Sequence, residues 1–153
     1  MRALVQRVKE ARVEVDGQMV GQIGPGLLIL LGVRMTDSAA EMRWVADKCL
    51  NLRIFEDAGG KFNHSVLETG GEILVVSQFT LYGDASRGRR PSFTDAAPPA
   101  LAEPLYEEFL ATLRAAGVKV AAGVFGAMME VYLQNSGPVT VLVEKETGVK
   151  AEG

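Results

Sequence analysis

The chain opens in strict alternation. In MRALVQRV, Ala3, Val5 and Arg7 point one way and Leu4, Gln6 and Val8 the other, and Val13 and Val15 then alternate with charged neighbours. A period of two marks a strand whose two faces differ. Asp16-Gly17 follows, and both central residues of a type I′ turn need positive φ, so the pair predicts a tight hairpin. A second turn at Gly24-Pro25-Gly26 releases LLILLGV, an unbroken apolar run that predicts a strand covered on both faces. The period then becomes helical. Ser38 and Glu41 form a capping box, and Met42, Val45, Ala46, Cys49 and Leu50 make one apolar face.

LRIF (Leu52 to Phe55) reads as a strand, EDAGG as a turn, and ILVVSQFTL as a second apolar strand with a polar end. The segment from Tyr82 to Pro99 is a long loop, of a length that is often functional. A second helix carries Leu105, Tyr106, Phe109 and Leu113 on one side and stops at Gly117. Pro104 fits only a first helical turn, so the regular part is expected to start late. VKVAA, MEVYLQ and VTVLVEK complete the strands, with a turn at Gly137-Pro138 between the last two. The pattern predicts a mixed α/β fold in which strands predominate and two main helices pack as layers against sheet. Neither a repeat nor a linker interrupts it, so residues 1–153 are expected to form one domain.

Composition narrows the function. With 48% hydrophobic and 23% charged residues the chain has the balance of a soluble globular protein. Its apolar runs fall far short of the roughly 20 residues of a membrane span, and the N-terminus lacks the apolar region of a signal peptide. A single cysteine cannot pair within the chain, which points to the cytoplasm. The net charge of −3 argues against indiscriminate nucleic-acid binding. It leaves room for a local basic patch at Arg87, Arg89 and Arg90 in SRGRRPS, a cluster that reads equally well as a solvated loop.

Candidate chemistry is sparse. One His and one Cys exclude the zinc clusters of deaminases and metallohydrolases, so neither a metal site nor a cofactor is expected. The chain has no P-loop or dinucleotide fingerprint. Any Ser-His-Asp triad would have to use His64, which lies in a polar turn. Two stretches remain: SQFTLYGD, where a buried strand ends in Ser, Gln and Thr, and QNSGPVT, which offers bare backbone at Gly137-Pro138. Each alone has a bland reading, as a sheet cap and as a turn.

Taken together they are not bland. GPGLLILLGV, NLRIFED, SQFTLYGD, RGRRPSF and NSGPVT, in that order, resemble the D-aminoacyl-tRNA deacylase family over nearly the whole chain, from MRALVQRV to Val143. The SQ-x-T-L and G-P-V-T elements carry most of the likeness. The departures are NSGP, where the family more commonly has Asp before Gly-Pro, and a C-terminal tail, 144–153, whose role the resemblance does not assign.

The resemblance implies a three-layer α/β/β fold and a homodimer with an active site at each side of the interface. Its substrate would be the ester between a D-amino acid, or glycine, and the 3′-terminal adenosine of tRNA. Gly137-Pro138 would be a cis peptide that enters the partner's pocket, held in place by Arg7. Ser77, Gln78, Phe79 and Thr80 would line the ester, and Phe125 and Met129 would grip the terminal adenine; from their pattern alone both are core residues. An enzyme that accepts many side chains yet judges chirality can inspect only the groups around Cα. Bare carbonyl oxygens set close to that carbon exclude the wrong enantiomer and let glycine pass.

Two sources of the nucleophile follow: Thr80 itself, which has no general base apparent beside it, or water activated by the 2′-hydroxyl of the tRNA. A site without titratable side chains favours the second. Two rival readings stay open at this point: a non-catalytic dimer that binds RNA ends, and an esterase of other specificity built on His64 and Ser77.

Overall fold

The computed structural model describes residues 1–147. Most of the tail, 148–153, lies outside the described residues. Strand β1 (Arg2–Val15) runs through the centre of the main sheet. Along one edge its first half pairs antiparallel with β3 (Gly26–Gly32) and its second half with β2 (Gln18–Ile23). Along the other edge both halves pair with the long β8 (Glu130–Glu144). Strand β6 (Glu72–Ser77) lies parallel to β3, and β7 (Val120–Ala122) parallel to β6. The sheet curls so that β7 approaches β2. A Cβ on Gly21 would lie 2.7 Å from the carbonyl oxygen of Ala122, so only glycine allows that approach. The predicted hairpin between β1 and β2 is present, with φ of 50° at Asp16 and 75° at Gly17.

Helices α1 (Ala39–Asn51) and α3 (Pro99–Ala115) cover one face of the sheet. Leu27, Ile29, Leu31, Ile73 and Val75 pack toward them, against Tyr106, Phe109 and Leu113. The alternate residues Leu28, Leu74 and Val76 point the other way, into a second core with Val8, Ala11, Val13 and Ile23. Both faces of β3 and β6 are therefore dry, which explains their unbroken apolar sequences. Each fully buried Leu or Ile contributes roughly 1.5–3 kcal/mol. The result is the layered mixed fold with strands predominating.

Strand β1 serves both cores by changing sides. Ala3 and Val5 face the helices, whereas Val8, Ala11 and Val13 face the second core. Val8 and Ala11 would face opposite sides of a regular strand, so the switch falls between them, at the second of two slips in the pairing with β8, between Val8 and Glu10. A bulge of this kind re-aims every side chain beyond it.

Four sequence expectations change. MEVYLQ and VTVLVEK form one strand, and Gly137-Pro138 is a bulge inside it rather than a turn between two. LRIF contributes only Phe55 to β4 (Phe55–Glu56), which pairs with β5 (Phe62–His64), while the Ile54 carbonyl accepts from Arg7 Nη1 at 2.8 Å. A third, one-turn helix, α2 (Val66–Thr69), starts from a capping box of Ser65 and Glu68. Helix α3 begins at Pro99 and continues through Pro104. Pro104 and Ala100 are both exposed, so the carbonyl that Pro104 leaves without its helical donor meets water.

The start of the chain and its last described residues are pinned to the α1 end of the molecule. The buried Met1 ammonium donates to Asp37 Oδ1 at 2.8 Å and to the Lys145 carbonyl at 2.8 Å. Glu41 accepts from the amide and hydroxyl of Ser38 at 2.7 and 2.5 Å and from the hydroxyl of Thr147. These donors, the Ser38 hydroxyl first, hold its carboxyl at about 2 against an ordinary 4.5. The folded state thus gains from ionised Glu41 above the unfolded value, and that gain is lost as pH falls from about 4.5 to about 2. Glu41→Gln is expected to lower Tm at pH 7 but to flatten the fall of Tm over that acid range. Thermal unfolding at several pH values checks this, and an unchanged acid slope would count against it.

Candidate active site

Because β3, β6 and β7 are parallel, their carboxyl ends lie at one edge of the sheet, where open α/β sheets commonly bind ligands. A cavity of about 770 Å³ opens there. Leu31 and Val33 line it from the end of β3, Val76 and Ser77 from β6, and Phe125 to Met129 from the segment after β7. Pro99 and Ala102, in the first turn of α3, complete the wall with Ala96 and Ala97.

Beyond Ser77 the chain turns sharply. The Gln78 amide donates to the Leu31 carbonyl at 2.8 Å, and Phe79–Tyr82 then form a single 3-10 turn. Gly32 makes room for that turn, since a Cβ there would lie 3.0 Å from Leu81 Cβ and 3.1 Å from the Gln78 carbonyl. Arg2 anchors it from outside: Nη1 donates to the Leu81 carbonyl at 2.8 Å, and the guanidinium lies 4.5 Å from the Tyr82 ring centre. Burial, reinforced by nearby Asp37 and Glu146, pushes the Tyr82 phenol above its ordinary range. It stays neutral.

The first amides of a helical turn have no partner within the turn. Gln78 has spent its amide on Leu31, so the free donors here are the N–H groups of Phe79 and Thr80, for which the described residues supply no acceptor. The Thr80 hydroxyl accepts from Gln78 Nε2. An amide does not take up a proton at neutral pH, so this contact leaves the hydroxyl unactivated. No side chain lining the cavity is ionisable among the described residues. Among the described residues no group of three or more His, Cys, Asp or Glu side chains is placed to hold a metal ion.

The sequence candidates divide into two groups. Ser77, Gln78, Phe79, Thr80, Phe125 and Met129 share the cavity. Arg7, Gly137 and Pro138 do not line it. They form a separate cluster in which Arg7 Nε donates to the Ser136 carbonyl at 3.2 Å and a Cβ on Gly137 would lie 2.9 Å from Arg7 Nη2. His64 belongs to neither group. Its Nδ1 lies 3.3 Å from Glu68 Oε2 on the β5–α2 surface, so the geometry does not assemble the His64–Ser77 pair of the rival esterase.

A family model described as D-Tyr-tRNA(Tyr) deacylase matches residues 4–144. The chain belongs to that deacylase family. A curated relative from Carboxydothermus hydrogenoformans, a D-aminoacyl-tRNA deacylase, is 59% identical over 144 residues, covering 94% of this chain and 99% of the relative. One of the same name from Desulfatibacillum aliphaticivorans is 60% identical over 146 residues, covering 95% and 100%. Among solved structures, the c-Myc DNA Unwinding Element Binding Protein superposes with a TM-score of 0.90 at 42% identity, covering 96% of this chain and 100% of that one.

Sequence reasoning about this deacylase-family chain missed several supports of the cavity. Phe93 packs edge-on against Phe79, with ring centres 5.3 Å apart. Gly83 permits it, because a Cβ there would lie 2.8 Å from Phe93 Cε1. Gly123 does the same for Met129, whose sulfur would lie 2.6 Å from a Cβ at that position. An apolar ring in a polar loop, at Phe93, was the one available signal.

Proposed function

We propose that the protein hydrolyses the ester that links a D-amino acid, or glycine, to the 3′-terminal adenosine of tRNA, and leaves the L-aminoacyl ester intact. As a member of its family the chain is a hydrolase of the D-aminoacyl-tRNA ester. One observation carries the finer reading: among the described residues, Phe79 and Thr80 line the cavity with backbone amides that have no acceptor, and no lining side chain is ionisable. Such a site can bind a developing oxyanion, where one donor is commonly worth about 3–4 kcal/mol. It has no base of its own. The 2′-hydroxyl next to the ester is the nearest group able to order and polarise the attacking water, and the protein contributes position and backbone dipoles. Phe125 and Met129 hold the terminal adenine, a contact of the kind worth about 1–3 kcal/mol per stacked base. On this reading the protein is a single catalytic domain that works without a cofactor in the cytoplasm.

Chirality is judged by Gly137-Pro138 of a second copy. Both residues are exposed and lie outside their own chain's cavity. Tyr132, Leu133 and Leu142 on the same strand are exposed apolar groups, and Met128, at the cavity, is 89% exposed. A two-fold homodimer, the commonest oligomer, covers such surface and carries the glycine of one protomer to the cavity of the other. Bare backbone next to Cα excludes an L side chain by overlap and admits glycine. Arg7 fixes that backbone from behind.

Matched D- and L-aminoacyl-tRNA pairs test the activity. Release of the D-amino acid and of glycine, with the L-ester intact, is expected, and equal turnover of both enantiomers would refute the selector. Mixing a Gly137 variant with a Thr80→Pro variant, each inactive alone, is expected to restore part of the activity through hybrid dimers. If confirmed hybrids stay inactive, each chain completes its own site.

The origin of the nucleophile has its own test. Thr80→Ala retains the backbone amide and is expected to keep most of its activity, whereas a lost nucleophile costs several orders of magnitude. tRNA ending in 2′-deoxyadenosine and charged at the 3′ position is expected to be turned over very poorly. A folded, inactive Thr80→Ala enzyme with normal turnover of the deoxy substrate would move the chemistry to the protein.

A further inference from the structure

The cavity wall continues into a basic hairpin. Asp84 and Ser92 exchange two backbone hydrogen bonds, of 2.7 and 2.9 Å, which close the segment between them into a loop with a fixed base. Both legs start at the cavity. Gly83 donates to the Thr80 carbonyl at 2.9 Å on one side, and Phe93, which follows Ser92, lines the wall on the other. The base is further braced by Asp84 Oδ1, which accepts from the Ser86 amide at 2.9 Å.

Arg87, Arg89 and Arg90 occupy the far part of this loop, and all three are exposed. None of them forms an ion pair among the described residues, whereas Arg2, Arg7, Arg12 and Arg34 each do. A chain with a net charge of −3 thus concentrates three uncommitted guanidinium groups beside the mouth of a cavity that has no ionisable lining. Four residues per leg reach at most about 14 Å from the base, and the arginine side chains extend further. That distance corresponds to the first few nucleotides of a strand whose last base lies in the cavity.

Resting on the deacylase reading above, we infer that the Asp84–Ser92 hairpin is the docking element for tRNA. Arg87, Arg89 and Arg90 contact acceptor-end phosphates and so present the 3′ terminus to the cavity. The contacts are to the backbone and carry no sequence information, so they act equally on every aminoacyl-tRNA. Guanidinium groups suit this task because they stay charged and bind phosphate oxygens in pairs.

The test compares two substrates that share the reacting ester: D-Tyr-tRNA(Tyr) and 3′-D-tyrosyl-adenosine, which lacks the phosphates. The triple variant Arg87→Gln, Arg89→Gln, Arg90→Gln is expected to lose on the order of tenfold or more in kcat/KM on the tRNA, mainly through KM. Its turnover of the adenosine ester is expected to stay within twofold of the parent. Each phosphate contact adds roughly 0.7–0.9 to the slope of log affinity against log salt, so the slope should shrink by about 2 to 3. The triple Arg→Lys variant should keep the slope, and Arg43→Gln, on the exposed side of α1, should leave everything unchanged.

Equal kcat/KM of parent and triple Gln variant on the tRNA would overturn the inference. So would an equal loss on both substrates, which would make the hairpin a support of the cavity. If the parent hydrolyses neither substrate, it is the deacylase reading that fails. Binding of uncharged tRNA must then still show the same loss of salt slope in the triple variant. Equal affinity of the parent for tRNA and for duplex DNA of the same length would make the arginines a general polyanion contact and overturn the assignment.

Discussion

The pairing of β1 with β8 slips between Gln6 and Glu10, and Arg7 and Asn135 fill the gap that the slip opens. Across it β1 advances two residues, from Gln6 to Val8, while β8 runs from Thr140 to Asn135 and so advances five. The excess backbone, centred on Gly137-Pro138, cannot join the ladder, so its polar groups need other partners. Asn135 Nδ2 donates to the carbonyls of Arg7 and Val139, both at 3.0 Å, and Arg7 donates to those of Ser136 and Ile54. Without these contacts the bulge would leave carbonyls unpaired, at a cost of about 1–3 kcal/mol for each one buried. The next slip along, between Val8 and Glu10, coincides with the point where β1 passes from one core to the other. The exposed Gly-Pro segment and the passage of β1 between the two cores therefore lie side by side in one short, irregular stretch of two long strands.

The cavity works by a different economy. Parallel strands bring several chain segments to one place without bringing any charge with them. Donors come from the main chain, where Phe79 and Thr80 sit at the start of a turn that Gln78 and Leu31 hold open. A backbone amide cannot titrate, rotates little and needs no reorganisation when negative charge appears. Apolar walls strengthen its effect by keeping the local dielectric low. The cavity volume, about 770 Å³, falls in the range typical of small-ligand sites, enough for an amino acid and much of a nucleoside.

How much of this was readable in advance varied with the range of the interaction. The Asp16-Gly17 turn, the Ser38 capping box and the two-faced runs of β3 and β6 are local, and the chain announces them. Gly137-Pro138 misled because a turn and a bulge have the same composition; only the shared partner β1, over a hundred residues away, joins both flanking runs into one strand. LRIF has strand propensity, but the Ile54 carbonyl is taken by Arg7, another distant residue. Pro104 was placed in a first helical turn, but exposure of the Ala100 carbonyl makes it tolerable inside the helix. At the site, the residues of SQFTL and the pair Phe125 and Met129 came from family motifs, since their spacing by itself describes an ordinary core. Gly83 and Gly123 were illegible because their role is the absence of a clash with Phe93 and Met129.

The separation of charge from chemistry has a physical logic. An arginine inside the cavity would have to be desolvated, and its field would act on the ground state of the ester as well as on the transition state, which raises affinity without raising rate. Placed on a hairpin in water, the same charge adds attraction over the distance of a Debye length, about 8 Å at physiological ionic strength, and leaves the ester's surroundings neutral. Phosphates are common to every tRNA, and so is the backbone around the amino acid's Cα. A site that reads only such shared features, by charge outside and by shape inside, can treat all side chains alike and still separate the two hands.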